Sequence, residues 1–280
     1  MKVSIVSQFR DEAKFLKEWI EFHLMIGFDN FYLINHLSED NYLEVLQPYI
    51  DTGIVHLTNL SVETNNGKNS FDNEVLLVNT SIPLFNKLIR ESVTDWFIFL
   101  NVDEFLYPVN NGNIKNVINT FPSNVGQIGV NWRMMGNSGY RLNDGELITE
   151  KLTKSKIKDT GAKWDDQRHV KCLVRKDAFD ILTSVHFCRL KPNYLYVDSN
   201  NNPSNINEKA YHTDLQVLDN MVINHYVFRD LDYTEVKINT YKSWGREFTN
   251  EKSFKSQYND VDNFEIHKFL PALKERMGIK

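Results

Sequence analysis

Residues 2–57 read KVSIVSQFRDEAKFLKEWIEFHLMIGFDNFYLINHLSEDNYLEVLQPYIDTGIVHL, and the alternation of hydrophobic periods in this stretch decides the fold class. Val3 to Ser7 reads as a strand, Glu12 to Met25 carries apolar residues at helical spacing, Asn30 to Ile34 reads as a strand and Tyr42 to Ile50 as a helix. That βαβα order predicts an α/β protein with a parallel sheet. Phe15, Leu16, Trp19, Ile20, Leu24 and Ile26 form one broad helical face, which is core packing. Ser38 is placed to cap the second helix, Asp51-Thr52-Gly53 to end it, and Gly53 to Leu57 to form a third strand.

Further along, residues 61–70 are polar and turn-rich and read as a mobile loop. Asp72 to Glu91 reads as a helix interrupted at Pro83. Trp96-Phe97-Ile98-Phe99-Leu100 is wholly apolar, the pattern of a central strand buried on both faces. Ile114 to Phe121 suggests a helix, and Gln127 to Trp132 and Val170 to Arg175 suggest strands. Residues 191–213 read as a long loop, while Tyr233 to Trp244 and Phe264 to Met277 read as helices.

Composition narrows the function classes. The chain has 280 residues, 41% of them hydrophobic, enough for a large core. Its 32 basic and 37 acidic residues give a net charge of −5, which speaks against nucleic acid as a partner. No signal-peptide pattern and no long apolar run is visible, so a soluble, cytoplasmic protein is expected, with a peripheral membrane contact left open. Cys172 and Cys188 are the two cysteines, which argues against a disulfide framework. With His169 and His186 they lack knuckle spacing for zinc and read as small core residues.

The chemistry is expected after the apolar strand, where the chain reads Asn101-Val102-Asp103-Glu104-Phe105. Ligands of open α/β sheets sit outside the carboxyl ends of the strands. Paired carboxylates there face a cavity or a cation, because an unpaired buried charge is strongly disfavoured. A hard divalent cation, Mn²⁺ or Mg²⁺, bridging Asp103 to a diphosphate satisfies that requirement. The alternative is a strand cap with Glu104 solvated.

Ordered motifs add to this reading. Arg10 to His23 followed by Gly27 to Leu33 resembles the opening of family 92 glycosyltransferases and their family 2-like bacterial and viral relatives. Asp95 to Leu106 is similar to that family's Trp-apolar-Asp-x-Asp-Glu-Phe element, and Trp132 to Tyr140 to its Trp-x-x-Phe-Gly-Ser-Ser-Gly-His element. His169 to Arg175 resembles its Lys-containing strand, and Asn224-His225-Tyr226 its Asn-His-Tyr element.

The resemblance implies a GT-A fold, a Rossmann-like mixed sheet flanked by helices, over residues 1–246, with 247–280 a C-terminal helical extension. It also implies transfer of a sugar from a nucleotide-sugar, a UDP-sugar, to a glycan or other acceptor hydroxyl, with inversion. Arg10, Asp11 and Glu12 would lie near the base and ribose, with Asn35 and Asp40 closing that pocket. Asn101 stands where the family has Asp, and Lys171 would meet donor phosphate or sugar. Asp103 would be the principal metal ligand, and His225 a second ligand or a diphosphate contact. Trp132, Gly136, Ser138 and Tyr140, with His186, would shape the sugar or acceptor side. For the general base, Asp165 and Asp166 are the candidates, Glu104 the reserve, and a solvated loop pair the alternative. A nucleotidyltransferase is disfavoured because no glycine-rich basic loop is present. The missing charge at Asn101 keeps a catalytically inactive glycan-binding or scaffold protein in play.

Overall fold

In the computed structural model, β1 (Val3–Phe9), α1 (Ala13–Met25), β2 (Asn30–Asn35), α2 (Tyr42–Asp51) and β3 (Val55–Asn59) realise the alternation read from the opening. The structure describes residues 1–60, 80–110, 112–158, 166–204, 212–243 and 257–279, without the side chains of 240, 241 and 243. The expected loop at 61–70 and the first part of the expected helix from Asp72 lie outside these residues. Next come α3 (Ile82–Glu91), β4 (Trp96–Phe99), β5 (Glu104–Pro108), α4 (Ile114–Ile118) and β6 (Val125–Met134). They are followed by α5 (Ile148–Lys151), β7 (Lys154–Ser155), β8 (Val170–Arg175), β9 (Phe179–Ser184) and β10 (Phe187–Leu190). The chain closes with β11 (Leu195–Asp198), β12 (Met221–His225), α6 (Leu231–Ser243), β13 (Val261–Asp262) and α7 (Leu270–Met277).

The main sheet runs β3-β2-β1-β4-β8-β6-β12-β5, with β11 branching onto β6. β1 is parallel to β2 and β4, and β3 is parallel to β2. β8 runs antiparallel to β4 and β6, and β5 antiparallel to β12. β6 is long enough to change partner along its length: Val125 to Gly129 takes β11 and Trp132 to Met134 takes β12. The result is a mixed, helix-flanked α/β sheet: the β3-β2-β1-β4 half is parallel, as the opening suggested, whereas β8 and β5 run antiparallel to their neighbours and β12 and β11 run parallel to β6.

Strands buried on both faces feed two cores. Trp96, Ile98 and Leu100 enter the core shared with α1 and α2, whereas Phe97 and Phe99 enter the one beneath α3, β9 and β10. This period-two division is what a continuous apolar run does in a central strand. Pro83 falls in the first turn of α3, where its missing N–H costs no helical bond; whether a helix runs into it from Asp72 lies outside the described residues.

Three local expectations are corrected. Ser38 does not cap α2, which begins after Asn41; its hydroxyl accepts the Asp11 N–H at 3.0 Å. The 191–213 loop contains β11, whose four residues pair with β6. Phe264 to Met277 is a 3-10 turn over Glu265–Phe269 followed by α7. Gly53, at φ +72°, closes α2 in the left-handed conformation glycine takes without strain.

Candidate active site

The strand order brings residues from the whole chain to one sheet edge. The ends of β1, β4, β6 and β12 and the start of β8 converge there, since β8 runs against its neighbours. A cleft of about 240 Å³ opens at this edge, lined by Gln8 to Arg10, Glu12, His36 and Asn101 to Asp103. Of the expected donor-side residues, Arg10, Glu12, Asn101 and Asp103 therefore share one cavity.

Asp11, Asn35 and Asp40 instead brace the loops behind it. Asp11, at φ 54°, accepts the Glu39 N–H at 2.7 Å. The Asn35 amide oxygen accepts the Ser38 N–H at 2.9 Å, and its NH₂ donates to Asn59. Asp40 accepts the Ala13 N–H at 2.7 Å, satisfying one of the orphan donors at the start of α1.

At the cleft, Asp103 Oδ1 is buried without a hydrogen-bond partner among the described residues and lies 3.7 Å from His225 Nε2. Burial opposes the charged form of Asp103, but the charges of His225, Arg229 and Lys237 outweigh it and hold the carboxyl well below the usual carboxylate range. Glu12 pairs with Arg229 at 2.6 Å. The buried guanidinium lies 4.2 Å from the centre of the Phe15 ring and 4.3 Å from that of Tyr233. Burial raises the Glu12 pKa despite that pair.

Glu104 and Lys171 lie beneath the cleft rather than in its lining. Both side chains are 0% exposed, their charges 3.6 Å apart, and Lys171 Nζ sits 4.9 Å from the Phe99 ring centre. Desolvation drives both toward neutrality, raising Glu104 and lowering Lys171. Glu104 also accepts the Asn101 N–H at 2.7 Å, and its carbonyl accepts the Trp19 indole N–H at 2.9 Å. The pair thus shapes the acidic turn from below. Neither the expected donor contact of Lys171 nor the reserve base role of Glu104 is matched by exposure at the cleft.

On the other side stands Trp132, its ring 4.4 Å from that of His225 and stacked on His169 at 5.2 Å and 19°. His186 meets it edge-on at 5.4 Å, with Nδ1 bonded to the Val170 carbonyl and its pKa lowered by burial. The indole is therefore packed among imidazoles rather than offered as an open face for a sugar ring. Gly136 packs against Tyr258 and Asn259, and Ser138, at φ 55°, donates its N–H to Asn259 at 2.9 Å. Tyr140 donates its hydroxyl to Glu146 at 2.9 Å. This turn is thus fastened to the C-terminal segment. Asp166 accepts from Lys156 at 2.7 Å and from the Tyr258 hydroxyl, and Asp165 lies outside the described residues.

Sequence reasoning passed over Arg229, Lys237, Gln8 and the place of His169. Arg229 carried one signal, its position four residues after His225, but its partner Glu12 lies at the other end of the chain. Cys172 and Cys188 are buried free thiols, as read. Among the described residues no group of three His, Cys, Asp or Glu side chains is arranged to hold a metal ion. Asp103 and His225 still suit a cation that takes one or two protein ligands and completes its shell with substrate phosphates, the usual habit of Mg²⁺. The buried Asp103 Oδ1, without a hydrogen bond among the described residues and with His225 3.7 Å away, is the observation that favours this fit.

No described helix is long and apolar enough to cross a membrane. In comparisons with known proteins, the chain is 21% identical over 215 residues to a glycosyltransferase family 92 protein of Ricinus communis, covering 75% of this chain and 35% of that protein. A family 92 protein of Oryza sativa subsp. japonica is 25% identical over 212 residues, covering 74% and 33%. The chain thus spans about a third of the length of these relatives. Among solved structures, S. aureus TarS 1–349 superposes with a TM-score of 0.43 at 11% identity, covering 99% of this chain and 71% of that one. The mannosyl-3-phosphoglycerate synthase of Rubrobacter xylanophilus gives 0.35 at 12% identity, covering 64% and 54%. The description of glycosyltransferase family 92 matches residues 1–270, and the chain belongs to that family.

Proposed function

We propose that the cleft at Asp103 takes the diphosphate of a UDP-sugar together with Mn²⁺ or Mg²⁺, and that the chain transfers the sugar with inversion to a hydroxyl of a glycan or glycoconjugate. The observation that carries this is the buried Asp103 Oδ1 at the cleft, which accepts no hydrogen bond among the described residues and has only the His225 ring 3.7 Å away as an ionic neighbour there. Asp103 and His225 would hold the cation, which when bound stabilises the negative charge that develops on the leaving diphosphate. Arg229 and Lys237 add positive charge toward the same point, since both act on Asp103. Asn101 supplies an amide where a carboxylate would have added a further negative charge. Burial of Glu104 with Lys171 keeps the turn that presents Asp103 rigid, as preorganised electrostatics requires.

Asn101 also favours a second reading, a family member that binds a nucleotide or glycan without turnover. Release of UDP, GDP or dTDP from the corresponding nucleotide-sugars, followed with and without Mn²⁺, separates the two. Slow metal-dependent release that is lost in Asp103→Asn supports transfer. Metal-dependent nucleotide binding with no release from any donor supports the inactive reading.

A further inference from the structure

A nucleoside diphosphate whose phosphates sit at Asp103 must also place its base, and three residues expected to read that base are engaged elsewhere. Asp11, Asn35 and Asp40 hold backbone N–H groups of the loops behind the cleft. The cleft spans three neighbouring strands: His36 follows β2, Gln8 lies near the end of β1, and Asn101 to Asp103 follow β4. β1 pairs with β2 on one side and with β4 on the other, and strands about 4.8 Å apart give this floor a width of roughly 10 Å. Phosphates at the β4 end therefore leave the nucleoside over β1 and β2.

Among the side chains lining the cleft, Gln8 Oε1, Glu12 Oε2 and Asp103 Oδ1 are buried oxygens that accept no hydrogen bond from the described residues. Glu12 Oε2 has the Arg229 guanidinium 2.6 Å away, and Asp103 Oδ1 has the His225 ring 3.7 Å away. Gln8 Oε1 is the uncharged one, a desolvated carbonyl whose unmade hydrogen bond a ligand N–H would restore. The backbone of Gln8 is fixed in the β1–β2 ladder opposite Ile34. With its carbonyl turned inward the amide leaves one acceptor unpaired, whereas the NH₂ turned inward would leave two donors unpaired. The free cleft thus favours the carbonyl facing in.

We propose that Gln8 reads the donor base as a cyclic imide, its Oε1 accepting the uracil N3–H and its Nε2–H donating to the adjacent carbonyl oxygen. This rests on the donor reading above. Uracil offers an N–H flanked by carbonyls, which matches the amide as it stands. Cytosine presents a bare ring nitrogen beside an amino group, so it sets an acceptor against the inward carbonyl and demands that the amide turn over. Guanine also carries an N–H beside a carbonyl, but a cleft of about 240 Å³ suits a single ring, since small-molecule pockets begin at roughly 300 Å³. Gln8 is therefore a specificity residue, acting at the far end of the cleft from the transfer chemistry.

Calorimetric titration of UDP, CDP, GDP and pyrophosphate, each with Mn²⁺, into wild type, Gln8→Leu and Gln8→Glu tests it. The wild type should prefer UDP to CDP by roughly 5- to 150-fold, the range that a good two-point base contact supplies. Gln8→Leu should bring UDP and CDP within threefold of each other while binding pyrophosphate like the wild type. The near-isosteric Gln8→Glu, whose carboxylate only accepts, should move the preference toward CDP, whose amino group donates. A Gln8→Leu protein that keeps the wild-type ratio of UDP to CDP affinity, or a Gln8→Glu protein that still prefers UDP to the same extent, overturns the proposal. So does a wild type that fails to separate UDP from CDP, that favours GDP over UDP, or that binds pyrophosphate as tightly as UDP. A wild type that binds none of these ligands overturns the donor reading instead.

Discussion

Lys171→Met tests the brace beneath the acidic turn. Lys171 and Glu104 are fully buried, 3.6 Å apart, so the substitution leaves a carboxyl in the interior with its charge uncompensated. Breaking a buried pair from one side costs about 3–5 kcal/mol. For a chain of this size that corresponds to a fall in Tm of roughly 6–12 °C. The loss should depend on pH. Burial already raises Glu104, and removing Lys171 removes the opposing charge. Between the ordinary glutamate value and the raised one, the folded variant holds a proton that the unfolded chain has released, so its stability falls as pH rises. Urea unfolding should therefore show the Lys171→Met deficit shrinking from pH 8 to pH 5. Lys171→Met/Glu104→Gln should recover most of it, since glutamine still accepts the Asn101 N–H and methionine fills the apolar floor. A single variant within 1 kcal/mol of wild type (on the order of the cost of one neutral hydrogen bond), with a deficit independent of pH, would refute the reasoning.

Two further predictions concern the scaffold. His23 is fully buried, donating Nδ1–H to the Trp19 carbonyl at 2.8 Å and accepting the Leu106 N–H at Nε2 at 3.3 Å, with its pKa lowered to about 3 by burial. Below about pH 6.5 the unfolded chain binds a proton the folded state refuses, so His23 should remove roughly 2 kcal/mol of stability by pH 5. The same pH slope in His23→Gln would show that another group is responsible. Gly136→Ala would set a Cβ 2.8 Å from the Tyr258 carbonyl carbon and against the Asn259 side chain. It should destabilise by about 1–3 kcal/mol and loosen the C-terminal segment. An unchanged Tm and unchanged proteolysis beyond residue 257 would contradict that packing.

What the sequence made legible follows from the range of the interactions involved. β1 to β3 were readable because Val3 to Phe9 and the Phe15-Trp19 face of α1 carry their periods locally. The acidic turn was readable because Asp103 and Glu104 follow the apolar β4 directly. β11 was hidden because its four residues sit among Asn, Ser and Pro and are held by pairing with β6. The functions of neighbours were harder to divide. Asp103 and Glu104 are adjacent in sequence, yet one faces the cleft and the other the core, because β5 begins at Glu104 and alternation sends successive side chains apart. Lys171, expected at the donor, belongs to Glu104, and Arg229 to Glu12, pairings that depend on strand order and leave no local mark.

The account turns on Asp103, and calorimetric titration of UDP into wild type and Asp103→Asn, with Mn²⁺ and with EDTA, tests it most directly. Binding by the wild type that requires Mn²⁺, and its loss by tenfold or more in Asp103→Asn with an unchanged Tm, is the predicted result. Equal UDP affinity in both proteins, or affinity indifferent to Mn²⁺, would contradict it.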